Sequence, residues 1–385
     1  MAEGFIVRKL GAGAITQAPT ITVTEETDIL KFTLTNNDDN TAIVSYKIDN
    51  EFGAVELTSG ETSSEITIST LDFGTYTLEA YATVVGEVAT SDIVSVDIIA
   101  EANYIISGSY DQTVRKIDSN GNEIWSFTGH SNRLFGVAVD SNNNVYTASS
   151  DNTVRKLDSN GNQIWSFTGH GGDVYHVAVD SNGNVYTASG DQTVRKLDGS
   201  GNEVWSFTGH SGTVWTVAVD LSGNVYSASL DNTVRKIDSN GNQIWSFTGH
   251  SDRARGVTVD QNGNVYSTSQ DGTVRKIDSS GNQVWSVSLP FVEQTAVDQN
   301  GNVYTAGAGD NTVRKLDSNG NEIWSFTGHS NDVNVIAVDK GGNVYSGSRD
   351  TTLRKIDSNG NQVWSFTGHS DRVYAVATSQ PLPLT

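Results

Sequence analysis

Seven tryptophans constrain this chain more than any other feature. Trp125, Trp165, Trp205, Trp245, Trp285, Trp324 and Trp364 recur every 40 residues, with one step of 39. The text around them is copied almost letter for letter, so residues 103–378 form an array. A period near 40 points to a propeller, in which each copy is a small sheet that buries its faces only against its neighbours. In one copy the strands read VYHVAVD, NVYTAS, TVRKLD and EVWSF, separated by the turn signals SNGN, GDQ and GSGN. Short runs of this kind, broken by a turn roughly every nine residues, are an all-β pattern. Four strands repeated seven times predict an all-β fold, a seven-bladed β-propeller with four-stranded blades.

The ends of the array fit a closed ring. It opens with three strands, NYIISGS, TVRKID and EIWSF, and finishes with one, VYAVAT at 373–378. Three plus one completes a blade, so the C-terminal strand is expected to close the ring and remove an open sheet edge. Ahead of the array, residues 17–100 hold about seven alternating segments, from TITVT to IVSVDII, and the piece LDFGTYTLEAYA around Tyr76. These resemble an immunoglobulin- or fibronectin-like β-sandwich with a tyrosine corner. The expected division is an arm at 1–16, an Ig-like sandwich at 17–100, the propeller at 101–379 and a tail at 380–385.

The array carries a more specific resemblance. Gly-His, an apolar strand and then S-x-D-x-T-V-R is similar to WD40 repeats, with His130, His170, His210, His250, His329 and His369 in the histidine position. The Trp of that family's Trp-Asp pair is replaced, as at Ile117–Asp118 and Leu157–Asp158. The run KLDSNGNQIWSF instead resembles quinoprotein-type propellers, where an outer-strand Trp docks one blade onto the next. That likeness reaches only the docking motif, so no cofactor is expected.

Charge and composition narrow the function classes. The net charge is −21, with 17 acidic against 4 basic residues in 1–102 and 28 against 20 in 103–385. Such a surface repels phosphate backbones and anionic lipid, so nucleic acid and membrane are not expected partners. The absence of cysteine excludes disulfides and thiolate chemistry. The opening MAEGFIVRKLGAGAITQ lacks a basic stretch followed by an apolar run, so no secretory signal is expected.

Three repeated motifs could carry chemistry. Five of the six Gly-His pairs are followed by an Asp about twenty residues on: His130 with Asp151, His170 with Asp191, His210 with Asp231, His250 with Asp271 and His329 with Asp350. A dyad could transfer protons. Catalysis needs one site rather than six near-identical ones, so these pairs are expected to be structural stitches, as the WD40 resemblance implies. One copy tests this: it reads VSLPF at 287–291 in place of the His, and the partner turn before Asp310 carries an extra residue. The DSNGN segments, such as 118–122, fit either a capped tight turn or a calcium loop, and the turn is the simpler reading. The VRK-type triplets supply fourteen of the array's twenty basic residues and are expected to pair with blade aspartates. No metal is expected.

Against this constancy a few positions vary from copy to copy. Seven residues before the Asp that ends the first strand stand Arg133, Asp173, Thr213, Arg253, Phe291, Asp332 and Arg372. Five before it stand Phe135, Tyr175, Trp215, Arg255, Glu293, Asn334 and Tyr374, and His176 holds position minus four in its copy. A second variable position, occupied by Tyr110, Ser150, Gly190, Leu230, Gln270, Gly309 and Arg349, lies just before the Asp of the turn between strands two and three. In an up-and-down blade both regions fall on one face. The expectation is a composite binding face, with aromatic platforms and Arg neighbours of the kind binding hot spots use; unconstrained drift is the alternative.

The opening GFIVRKLGAG, a β-sandwich and then a repeat domain together resemble bacteriophage virion proteins, particularly tail- and fibre-associated ones. The resemblance implies a non-enzymatic virion protein assembled in host cytoplasm. Residues 1–100 would bind other virion proteins, with a homo-oligomer possible, and the propeller face would bind a host-surface glycan or protein. A bacterial lectin-like or protein-scaffold propeller is the alternative, and an enzyme ranks last.

Overall fold

A computed structural model describes residues 104–379 with their side chains and, within 20–98, the backbone of eight strands. The chain divides into two compact units, 1–100 and 101–385. In the first, Thr20–Glu26, Ile29–Thr35 and Ile66–Ile68 make a three-stranded antiparallel sheet. Ala42–Ile48, Glu51–Leu57, Gly74–Val84, Glu87–Thr90 and Val94–Ile98 make a five-stranded one. The packing expected of an Ig-like sandwich, the Tyr76 corner, the arm and the tail lie outside the described residues.

The second unit is a propeller of seven four-stranded antiparallel sheets. Blade 2 is representative: strand a is Leu134–Val139, b is Val145–Ser149, c is Val154–Leu157 and d is Gln163–Phe167. Blades 3 to 7 repeat it, with a-strands beginning at Val174, Val214, Ala254, Val292 and Val333. Blade 1 takes its a-strand, Val373–Thr378, from the C-terminus and pairs it with Tyr104–Ser109. The ring is therefore closed by a strand more than 260 residues away from its partner, as the three-plus-one count predicts.

Burial follows position in the blade. Strand b, flanked by a and c, is buried throughout, which is why VYTAS carries no charge. Strand d is the outer edge and is mostly exposed. The core sits between blades: Tyr226, Val234 and Ala228 of blade 4 pack on Ala254, Val257 and Val265 of blade 5. Each fully buried Val contributes about 1.5–3 kcal/mol relative to exposure. The outer-strand tryptophan docks neighbouring blades. The Trp125 indole N–H donates to the Ser159 carbonyl at 3.0 Å, and the ring lies against Gly161 of the next blade. That glycine has φ +85, and a Cβ there would sit 3.0 Å from the indole, so two constraints select it. Trp364 does the same to Ser119 at 2.8 Å and locks blade 7 to blade 1.

Candidate functional site

The two variable regions are tied together in every blade. The backbone N–H of the turn residue between strands b and c donates to the carbonyl of the residue that leads into strand a. Tyr110 bonds Arg372, Ser150 bonds Arg133, Gly190 bonds Asp173, Leu230 bonds Thr213, Gln270 bonds Arg253 and Arg349 bonds Asp332, all at 2.8–3.0 Å. In blade 6, Ala308 and Gly309 both bond Phe291. The differing positions thus share one face. The DSNGN turns lie at the other ends of the strands. There Asp118 accepts from the N–H groups of Asn120 and Asn122 at 2.9 and 2.7 Å and from the Asn122 side chain at 3.0 Å. That carboxylate caps its own turn.

Just inside the variable face lies the stitch layer. The His130 Nδ1–H donates to Asp151 Oδ2 at 2.8 Å, and its Nε2 accepts from the Thr147 hydroxyl at 2.7 Å. A carboxylate only accepts, so the neutral ring must place its proton on Nδ1. The same pairing joins His170 to Asp191, His210 to Asp231, His250 to Asp271 and His329 to Asp350, and His369 to Asp111 across the ring closure. Arg155 adds an ion pair to Asp151 at 3.5 Å, and the corresponding arginines repeat it. Burial lowers His130 below the ordinary histidine range against the pull of Asp151. Burial alone would raise the Asp151 carboxyl, but hydrogen bonds from His130 and Thr153 outweigh it and hold it well below the usual range. In blade 6, which lacks the His, Asp310 pairs with Arg314 at 2.5 Å, and Leu289 packs partly buried against the core between blades 5 and 6.

The residues at position minus five have a common backbone cause. In every a-strand the ladder register shifts between positions minus six and minus four, as between Leu134 and Gly136; in blade 5 the irregularity spans Ala254 to Val257. Position minus five is the extra residue of a β-bulge, freed from the ladder and re-aimed. The a-strands neighbour one another in a closed circle, so seven bulge residues meet around the channel mouth. Phe135 lies 4.8 Å from Tyr175, and Tyr175 stacks on Trp215 at 4.3 Å. The Arg255 guanidinium sits 4.1 Å over Trp215 and pairs with Glu293 at 3.6 Å. Arg349 bridges Asp332 at 2.9 Å and the Asn334 side-chain oxygen at 3.3 Å, and the Asn334 amide donates to the Val373 carbonyl. Tyr374 returns to Phe135 at 5.7 Å and stacks on Tyr110 at 4.4 Å. An aromatic arc and a charged arc share the channel mouth.

Beneath this ring the channel holds a cavity of about 290 Å³, lined by the a-strands. His176 faces it, with its Nδ1 buried and unpartnered, and burial brings its pKa down to about 4. Burial raises the Glu293 carboxyl against the lowering pull of Arg255.

Of the expected site residues, Phe135, Glu293, Asn334 and Tyr374 are buried in the ring. Tyr110, Asp173, Tyr175, His176, Trp215, Arg255 and Arg349 are half-buried, and Arg133, Arg253 and Arg372 are exposed. Phe291 makes no ring contact among the described residues and stands outside the aromatic arc. The sequence reading missed the bulge, although its signal was visible. The buried apolar residues of VWTVAV, Val214, Val217 and Val219, are spaced three and then two apart instead of alternating.

A family model described as outer membrane protein assembly factor BamB matches residues 110–230 and 230–372, most of the propeller. The chain belongs to that family. A second model, WD domain, G-beta repeat, matches residues 80–118. Both halves of the expected resemblance, the WD40-like stitch and the quinoprotein-like outer strand, are thus found in one BamB-family propeller. No curated protein matches the sequence.

Proposed function

We propose that the chain is a non-enzymatic recognition protein of a virion, attached through residues 1–100 and presenting the variable propeller face to a host-surface glycan or protein. The recognition part rests on one observation. The Tyr175–Trp215 stack is half-buried, with its rings held by neighbours and part of its surface open at the channel mouth. Rigid aromatic surface ringed by polar groups suits sugar and protein contacts alike. The six Gly-His histidines support a non-enzymatic reading, since each of those rings is buried with both nitrogens engaged inside its own blade. The virion setting rests on the opening segment and domain layout. A protein-scaffold reading without a virion draws on the family's description as an assembly factor and uses the same face.

The test is binding of the full-length chain to a glycan array and to whole bacterial cells, beside a Tyr175→Ala/Trp215→Ala variant shown by circular dichroism to remain folded. Binding by the parent and loss in the variant is the expected result. No binding by the parent to either surface overturns host recognition and leaves the scaffold.

A further inference from the structure

The described arginines divide sharply by partner. Each c-strand arginine pairs with an acid of its own blade, Arg255 pairs with Glu293 and Arg349 with Asp332. Arg133, Arg253 and Arg372 have no ion pair among the described residues, and all three are exposed on the variable face. In a chain of net charge −21 these are unusual cations. Two of them converge. Arg133, leading into blade 2, places its guanidinium 4.8 Å from the Tyr110 ring centroid, and Arg372, leading into blade 1, lies 6.0 Å from the same centroid. The two charges are therefore within about 11 Å of each other.

Among the described residues none of the nearby acids forms an ion pair with Arg133 or Arg372. Asp371 accepts the Arg372 backbone N–H at 2.7 Å, Asp173 accepts the Ser150 hydroxyl at 3.0 Å, and Asp111 is stitched to His369 at 3.1 Å. Tyr374 covers one face of Tyr110 in a parallel stack, and the Phe135 edge meets it at 5.2 Å. The platform is fixed, and the two cations are held beside it by the ring quadrupole rather than by a carboxylate. Like charges beside one platform without an ion-pair partner favour an anion that reaches both, and guanidinium forks match oxyanions in geometry.

We propose that Arg133 and Arg372, set over Tyr110, form a site for the anionic group of an acidic surface polysaccharide, with the sugar ring lying on the aromatic arc. This deepens the recognition reading above and rests on it. The shared chemistry is an oxyanion on a sugar, either a uronate carboxylate or a phosphate ester.

Calorimetric titration of the full-length chain with three probes tests it: alginate as a polyuronate, inorganic phosphate, and dextran as a neutral control. The parent is expected to bind alginate or phosphate, more weakly as salt is raised, and to ignore dextran. Which of the two binds identifies the source of the oxyanion. Arg133→Gln and Arg372→Gln are each expected to weaken binding about tenfold, the loss of one charge-assisted contact. Arg253→Gln, which removes the same charge from the same face away from Tyr110, is expected to change it less than about twofold. Equal loss in all three variants, or no binding of either anion at low salt, overturns the site. Equal binding of dextran and alginate also overturns it while leaving glycan recognition intact.

Discussion

The stitch layer and the bulge ring lie a few residues apart in each repeat, yet one is copied in six blades and the other varies around the ring. Their contacts explain why. The His–Asp stitch is made within a blade, so a sequence that works once works again when duplicated. A bulge residue sits beside its counterparts in the two adjacent blades, and the seven must fit together around one narrow channel. Seven tryptophans would overfill that mouth, seven arginines would repel, and seven valines would leave it open. The array resolves this with an aromatic arc from Tyr374 to Trp215, a cation–π step to Arg255 and a polar arc through Glu293, Arg349 and Asn334. Diversity there is partly a condition of closure, and the −7 arginines outside the ring are freer to meet a ligand.

Acid should separate blade 6 from the stitched blades most strongly, because it acts on many stitches at once. Burial holds His130, His210, His250 and His329 below the ordinary value. The unfolded chain therefore takes up protons near pH 6.5 while the folded one resists, and stability falls as pH drops below about 6.5. The stitch carboxylates are also depressed, as at Asp151 and Asp350, so the unfolded chain protonates them first and further stability is lost below about pH 4. Hydrogen exchange followed from pH 7 to 5 should show strand b of blades 2, 4, 5 and 7 losing protection before Val303–Gly307 of blade 6. Uniform loss across the ring would break the contrast.

The ring itself is tested by Phe135→Ala. Phe135 is only 8% exposed and meets Tyr110, Tyr175, Trp215 and Tyr374. Its truncation should cost about 3–4 kcal/mol in chemical denaturation. Phe291→Ala, at a variable position outside the ring, should cost under about 1 kcal/mol. Similar costs would mean that the ring contributes no more than any exposed loop.

How much of this could be read from the residues follows the same division. Blade number, strand order, ring closure, tryptophan docking and the His–Asp stitches are local or periodic, and the copies spell them out. The shared face of the two variable regions follows from strand direction. The bulge was written in the three-then-two spacing of Val214, Val217 and Val219 but is hidden to a reading that assumes alternation. The mutual stacking of Phe135, Tyr175 and Trp215 depends on the radius at which the a-strands meet, which no single copy states. Expected as presented platforms, these rings spend much of their surface on each other. Nothing in the text of one blade marks Glu293 or Asn334 as buried, because the Arg255 guanidinium that meets Glu293 and the Val373 carbonyl that meets Asn334 belong to neighbouring blades.

Blade 6 supplies the finest test, because it already carries the change that would be engineered elsewhere. His210→Leu gives blade 4 the residue type that blade 6 has at Leu289. It orphans the buried Ser227 hydroxyl and takes one donor from Asp231 Oδ2, which keeps the Ser211 N–H and Arg235, and should cost about 2 kcal/mol. Blade 6 shows the residue of such a loss. Thr305 occupies the strand-b position whose hydroxyl meets the imidazole in the other blades, and it pairs across the ladder with Thr295. Both hydroxyls are buried without a partner. Removing an orphaned hydroxyl recovers its desolvation cost, so Thr305→Val should stabilise the protein by about 1 kcal/mol, and Thr295→Val, which restores the valine of blades 2 to 5, should act in the same direction. Thr147→Val in blade 2 should destabilise by about 1–2 kcal/mol, since it strips His130 Nε2 of its donor. Opposite signs from one substitution at one repeat position would show that the imidazole, and not the strand, makes the hydroxyl worth having; equal signs would reduce the stitch to packing.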